Sequence, residues 1–214
     1  ETLDVCVFNR SNPSPRYIEL SEQYAKMHDN RKSDSDTTFA GVITFLRVAP
    51  YIKEYFMMSK YNSLLDYGGG QGQQYKLQKL RCRGGYTYKD MANFLGVNEV
   101  CVYDAGRPKT IKYLGKKYSV VICTDVLEHC DRKDLPWIIE ELFEHAESAV
   151  FATIATYPAV KHLPNGENAH CTLETSSWWS ELFMNASAKF PKVDYRFLVV
   201  NDKNFDEVEA FSRI

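Results

Sequence analysis

Leu64-Leu65-Asp66-Tyr67-Gly68-Gly69-Gly70-Gln71-Gly72 sets a short apolar run directly before a turn in which four of five residues are glycine. A run this short, apolar at successive positions, reads as a strand buried on both faces. Glycine admits positive φ and lets a ligand come close to the main chain. In an open α/β sheet such a turn lies at the carboxyl end of the first strand, where the sheet order reverses and ligands bind. The segment Gln73 to Leu80 that follows is compatible with a helix, whose free N-terminal amides would favour a carboxylate or hydroxyl oxygen.

Outward from the turn, three more apolar runs read as strands: Glu99 to Tyr103, Ser119 to Thr124 and Ala149 to Ala155. Between the last two, Leu135, Ile138, Ile139, Leu142 and Phe143 form a helical stripe within Asp134 to His145 that can cover a sheet. Trp178 to Phe190 predicts another helix, and Asp194 to Val200 with Val208 to Ile214 a closing antiparallel pair. The pattern is α/β: a doubly wound, Rossmann-like, mostly parallel sheet with helices on both faces and a C-terminal hairpin. Before the first strand, apolar residues recur at helical spacing from Phe39 to Met58, with Pro50 a kink or boundary. Residues 1–38 read as an extension or lid, with a short helix over Arg16 to His28 and a polar Ser33 to Thr38 stretch, and 39–214 as the domain proper.

The chain has 214 residues, 44% of them hydrophobic, enough to bury one sizeable core. A net charge of -2 supplies no global positive field for nucleic acid or an anionic membrane, so general nucleic-acid binding is not expected and a small or locally recognised substrate is. No stretch approaches a bilayer span, and the N-terminus lacks the apolar core of a signal peptide. Six cysteines without a C-x-x-C pair predict reduced thiols in a cytoplasmic protein. Glu1 in place of Met predicts that a few residues have been removed.

A glycine turn alone fits a surface loop or a dinucleotide site equally well. The dinucleotide fingerprint G-x-G-x-x-G started at Gly68 and Gly70 would need glycine at 73, where the chain has Gln73. The residues instead spell acidic-x-Gly-x-Gly-x-Gly, namely Asp66, Gly68, Gly70 and Gly72, which resembles motif I of the class I S-adenosylmethionine-dependent methyltransferases. The resemblance implies that the turn wraps the methionine part of the cofactor and that Asp66 helps fix its ammonium group, directly or through water. The alternative is that Asp66 only pins the turn by accepting loop amides. Asp104, after the second strand, matches the acidic residue that in this family accepts the ribose hydroxyls, and it could instead cap the next turn. Thr124-Asp125-Val126-Leu127-Glu128-His129 looks like motif IV, which places Asp125 at the border of cofactor and acceptor. The resemblance covers Leu64 to Ala155. Two departures stand out. An insertion, CRGGYTY, predicts a loop or hairpin, and only about a dozen residues separate Asp104 from the next strand, so the usual third strand is missing or vestigial.

Methyl transfer from a sulfonium is an in-line displacement in which positioning does much of the work. If the acceptor is a hydroxyl, a histidine near neutral pKa suits proton removal. His129 and His170 are the catalytic candidates, with His162 beside them and His28 more remote. Asp125, Glu128, His129 and His170 also resemble the metal-binding set of small-RNA and quinone-biosynthesis O-methyltransferases. The preferred expectation is no metal, with Glu128 and His129 bonded to nearby backbone. The loop Tyr157 to Cys171 should overhang the methyl, and an arm bearing Tyr17, Tyr24 and Phe39 either closes over the cofactor or simply packs on the core. The expected function is S-adenosylmethionine-dependent methyl transfer, giving S-adenosylhomocysteine, to a small-molecule or terminal acceptor, with oxygen slightly favoured. The rival is a methyltransferase-like binding or scaffold protein.

Overall fold

The structure, a computed structural model, describes residues 8–29, 42–56, 60–82 and 85–213. The Ser33 to Thr38 stretch, Phe39 and the His28 side chain lie outside the described residues. Helix α1 (Pro15–Asp29) and helix α2 (Val42–Phe56) precede the first strand. Of the kink or boundary expected at Pro50, no boundary forms: α2 runs through it with Val48, Ala49 and Ile52 buried on one side and Pro50 exposed on the other.

A six-stranded sheet follows: β1 (Ser63–Tyr67), β4 (Glu99–Tyr103), β5 (Tyr118–Thr124), β6 (Ala146–Ala155), β7 (Asp194–Val200) and β8 (Val208–Ser212). Its order is β4-β1-β5-β6-β7-β8, parallel throughout except for the β7-β8 hairpin. Among the described residues no strand lies beyond β4. The segment Pro108–Gly115, where an outer strand would start, winds instead into a 3-10 helix.

Side chains of one strand alternate between two cores. On one face Leu65, Val121, Val150 and Phe197 pack with helices α4 (Leu135–His145) and α5 (Ser176–Ala188). On the other, Leu64, Val120, Ile122 and Phe151 pack with α2 and with α3 (Met91–Leu95). The α4 stripe Leu135, Ile138, Ile139, Leu142 and Phe143 is wholly buried. In α5, Thr175 caps the start by accepting from the Trp178 amide, and Trp179 is buried while Trp178 is half-buried.

The segment after the glycine turn departs from expectation. Gln73–Lys76 is a single 3-10 stretch, and the chain then extends as β2 (Gln78–Arg81), paired antiparallel with β3 (Thr87–Asp90). The expected helix cannot continue because Gln74 and Tyr75 turn back toward β1 to bond Asp66. Thr87 and Tyr88 of the CRGGYTY insertion lie in β3, while Arg83 and Gly84 lie outside the described residues.

Candidate functional site

The order of strands reverses between β1 and β5, and a cavity opens there at the carboxyl ends of β1, β4 and β5. It is a concave, partly open cleft of about 1050 Å³ when the solvent space at its mouth is counted. Gly68, Gly69 and Gly70 form one wall, Asp104, Ala105 and Gly106 a second, and Thr124, Asp125, Val126 and His129 a third. Tyr17, Leu20, Ser21 and Tyr24 of α1 line it as well.

The turn after β1 is braced by the turn after β4. Gly68 and Gly69 N–H both donate to the Tyr103 carbonyl, at 2.7 and 3.2 Å. Gly70 N–H donates to Asp104 Oδ2 and Gly106 N–H to Asp104 Oδ1, each at 2.9 Å, while Arg107 donates to the Gly70 carbonyl at 2.8 Å. The helix start expected to offer free amides is replaced by the short 3-10 stretch Gln73–Lys76, in which the Tyr75 amide donates to the Gly72 carbonyl at 3.2 Å. What the glycines supply is clearance and conformation. Gly68 sits at φ 84, and a β-carbon there would lie 2.5 and 2.6 Å from the Val126 methyls. Gly68→Ala therefore combines left-handed strain with overpacking, and urea unfolding is expected to show a loss of about 3 kcal/mol.

Asp66 lies under the turn, 1% exposed and outside the cavity wall. Its Oδ2 accepts from Gln74 Nε2 at 2.8 Å and from the Tyr75 hydroxyl at 2.9 Å; Oδ1 is buried with no hydrogen-bond partner. It pins the turn through side chains rather than through loop amides. Burial lifts its carboxyl to about 6, against the two hydrogen bonds. Gln74 does reach the cavity, so Asp66 bears on a ligand there by orienting the Gln74 amide. Gly72, at φ 63, is also outside the wall and shapes the turn from behind.

Asp104 caps the following turn and also lines the cavity.

Asp125, His129 and His170 converge, with one ligand atom of each inside 4.8 Å of the others. Asp125 holds a left-handed φ of 59, its amide donating to Thr153 O and Oγ1. His129 Nδ1 lies 2.8 Å from the Ala169 carbonyl and 3.0 Å from the Tyr24 hydroxyl. His170 Nδ1 lies 2.5 Å from the Tyr157 carbonyl, and the two imidazoles meet edge to face at 4.7 Å. Burial depresses the His129 pKa to about 4, so its ring is neutral at pH 7. Glu128 does not join them as a further ligand: it is fully buried and its Oε1 accepts the Ala155 amide at 2.6 Å. Burial and the nearby Asp125 raise its pKa well above the ordinary value. His162 is exposed, bridged to Asn168, and outside the cluster.

Arg10 is a structural residue that sequence reasoning missed. Its guanidinium is paired with Glu141 of α4 and donates to the hydroxyls of Tyr17, Tyr103 and Tyr67 at 2.7 to 2.8 Å, stacked over Trp137. Four residues on, Ser14 donates through its amide and hydroxyl to the buried Asp134. These two anchors fix the start of α1 beside the cavity. Only the unusual cation within a polar segment could have marked Arg10, and charge alone does not predict a partner 131 residues away.

No protein-family model and no curated protein matches the sequence. Among solved structures, an O-methyltransferase family protein from Burkholderia thailandensis is similar in fold, with a TM-score of 0.51 and 14% identity over 81% of this chain. The chain spans 62% of that protein's length. No described helix is long and apolar enough to cross a membrane. The sheet order and this likeness give the chain a Rossmann-like, mostly parallel α/β fold with a cavity at its switch point.

Proposed function

We propose that the chain is an S-adenosylmethionine-dependent methyltransferase acting on a small-molecule or terminal acceptor, with oxygen the favoured acceptor atom. The observation that carries this reading is the joint wall of Gly68 to Gly70 and Asp104 at the reversal point of the sheet. The residues present fit the cofactor. Asp104 puts a carboxylate on the wall, a group whose two oxygens suit vicinal hydroxyls, the glycines keep side chains off it, and Gln74 adds a neutral amide. Ile138, Val126 and Tyr17 supply apolar and aromatic surface for a purine.

The cofactor, when bound, supplies an activated methyl on its sulfonium. The chain's own residues hold the acceptor and take its proton. Asp125 and His129 line the cavity, and His170 stands behind them. His129 is neutral, with its Nδ1 hydrogen bonded, so proton removal falls to its other nitrogen or to His170.

Calorimetric titration with S-adenosylmethionine and S-adenosylhomocysteine tests the reading. Both are expected to bind at one site per chain. Asp104→Asn, which keeps one carbonyl oxygen for the turn but removes the charge, is expected to weaken both by about tenfold to a hundredfold. Absence of binding to the unmutated chain would return the fold to the scaffold reading.

A further inference from the structure

We infer that the outer face of α2, together with the basic hairpin β2-β3 beside it, docks the protein on an anionic lipid bilayer. The inference goes beyond the methyltransferase reading and does not depend on it.

Helix α2 is apolar on two sides. Its inner side, Phe45, Val48, Ala49, Ile52 and Phe56, is buried against the sheet. Its outer side carries Ile43, Leu46, Pro50 and Tyr51, whose i, i+3, i+7, i+8 spacing sets them along one face, and all four are exposed. Ile43 is 72% exposed. A helix apolar all round is normally buried all round, yet among the described residues nothing covers this side. Arg47 and Glu54 interrupt the face, and Arg47 is drawn aside to donate to the Lys203 carbonyl at 3.0 Å.

The hairpin stands against the same helix. Lys53 of α2 donates to the Tyr88 hydroxyl at 2.8 Å and lies 4.0 Å from the centre of its ring, and Leu80 packs into the core that α2 covers. Leu80 and Tyr88 are paired in register and so mark the inner face of the ribbon. Arg81, opposite Thr87, and Lys89, two residues beyond Thr87, therefore share the outer face, with Lys79 adjoining them. Lys79, Arg81 and Lys89 are exposed, and among the described residues none of them is ion-paired. Over residues 75–89 the sequence has five cations and no acid, although the whole chain stands at -2. The positive field absent from the molecule as a whole is concentrated on this one ribbon. Tyr86, 70% exposed at its tip, adds an amphipathic ring of the kind that settles at a headgroup boundary.

Exposed apolar side chains beside unpaired cations fit a surface that is at once apolar and anionic. The outside of a single helix lies readily in the plane of a bilayer boundary, whereas a helical peptide partner would need a groove.

The test is flotation of the whole chain with vesicles of phosphatidylcholine, with and without an equal share of phosphatidylglycerol. The chain is expected to float with the anionic vesicles, to stay behind with phosphatidylcholine alone, and to be released by high salt. Ile43→Ser/Leu46→Ser and Arg81→Gln/Lys89→Gln are each expected to weaken binding by at least about tenfold. Two controls should float as the parent does: Met184→Ser, exposed on α5 at the opposite face of the sheet, and Lys109→Gln/Lys117→Gln, exposed cations after β4. Circular dichroism establishes that each variant is folded. All the substituted side chains lie outside the cavity wall, so S-adenosylmethionine affinity on the same variants tests the methyltransferase reading separately. The inference is overturned by absence of flotation, by equal flotation with phosphatidylcholine alone, by undiminished flotation of either folded double variant, or by equal losses in the controls. Self-association of the parent that Ile43→Ser/Leu46→Ser abolishes would make the face a subunit contact, and capture of an oligonucleotide without flotation would assign the cations to nucleic acid; either overturns it as well.

Discussion

Arg10→Ala is expected to cost about 3 kcal/mol in chemical denaturation. Among the described residues the Arg10 guanidinium is the cation paired with the Glu141 carboxylate, and Glu141 is 7% exposed on α4. Truncation leaves that carboxylate with the Tyr67 hydroxyl, at 2.5 Å, and strips three tyrosine hydroxyls of a donor. Breaking a buried pair in this way costs about 3 to 5 kcal/mol, and the lower figure applies because the Arg10 side chain keeps 30% of its surface in water. For a domain of this size the melting temperature should fall by roughly 6 to 12 °C. Glu141→Gln introduced into Arg10→Ala should recover part of the loss, since no charge is then left buried. Additive losses in that double variant would show that the pair is not the source. On the proposed function, affinity for S-adenosylmethionine should fall in step, because Tyr17, Leu20, Ser21 and Tyr24 line the cavity from the helix that Arg10 anchors.

Asp66→Asn is expected to act in the opposite direction and stabilise the protein. Burial raises the Asp66 carboxyl from 3.8 to about 6, so the folded state binds its proton more tightly than the unfolded chain. Such a group contributes stability that is present below about pH 4 and is lost as the pH rises through about 6. The loss is on the order of 3 kcal/mol by about pH 7. Asparagine carries no charge to desolvate and keeps a carbonyl for Gln74 and Tyr75, though its amide meets the buried position where Oδ1 has no partner. A net gain of about 1 to 2 kcal/mol at pH 7, shrinking to nothing near pH 4, should appear in urea titrations at a series of pH values. Cofactor affinity, measured on the same variants, separates two roles for the carboxylate. If Asp66 acts only by orienting Gln74, Asn preserves most of the affinity and Ala does not. If the carboxylate itself meets an ammonium group, Asn loses nearly as much as Ala.

The architecture was legible because its signals are local and redundant. Each of the runs at 63–67, 99–103 and 194–200 is short, apolar and bounded by turn residues, and the α4 stripe has a single buried face. The shortened link after Asp104 leaves too little chain for an outer strand, and none lies there among the described residues. Where local pattern misled, a tertiary bond prevailed over local preference. Gln73 to Leu80 has good helix formers, yet Gln74 and Tyr75 are drawn to a carboxylate whose burial no local pattern can reveal. Pro50 would end a helix on propensity alone, but three apolar neighbours bury against the sheet and carry α2 past it. Of the four residues considered for a metal, spacing could not reveal that Glu128 faces the β6 backbone while His170 reaches back to His129. A D-x-x-E-H ending fixes which residues are near the strand end, not which way each points.

The anchoring of the N-terminal segment also dictates an order of assembly. Arg10 finds its partners on β1, β4 and α4, across sequence separations of 57, 93 and 131 residues. Local helix α1 can form early, but it has no place to dock until those three elements stand side by side. Residues synthesised ahead of the whole sheet therefore settle near the end of folding, and the wall they supply completes the cavity only after the strands around the reversal point are in place.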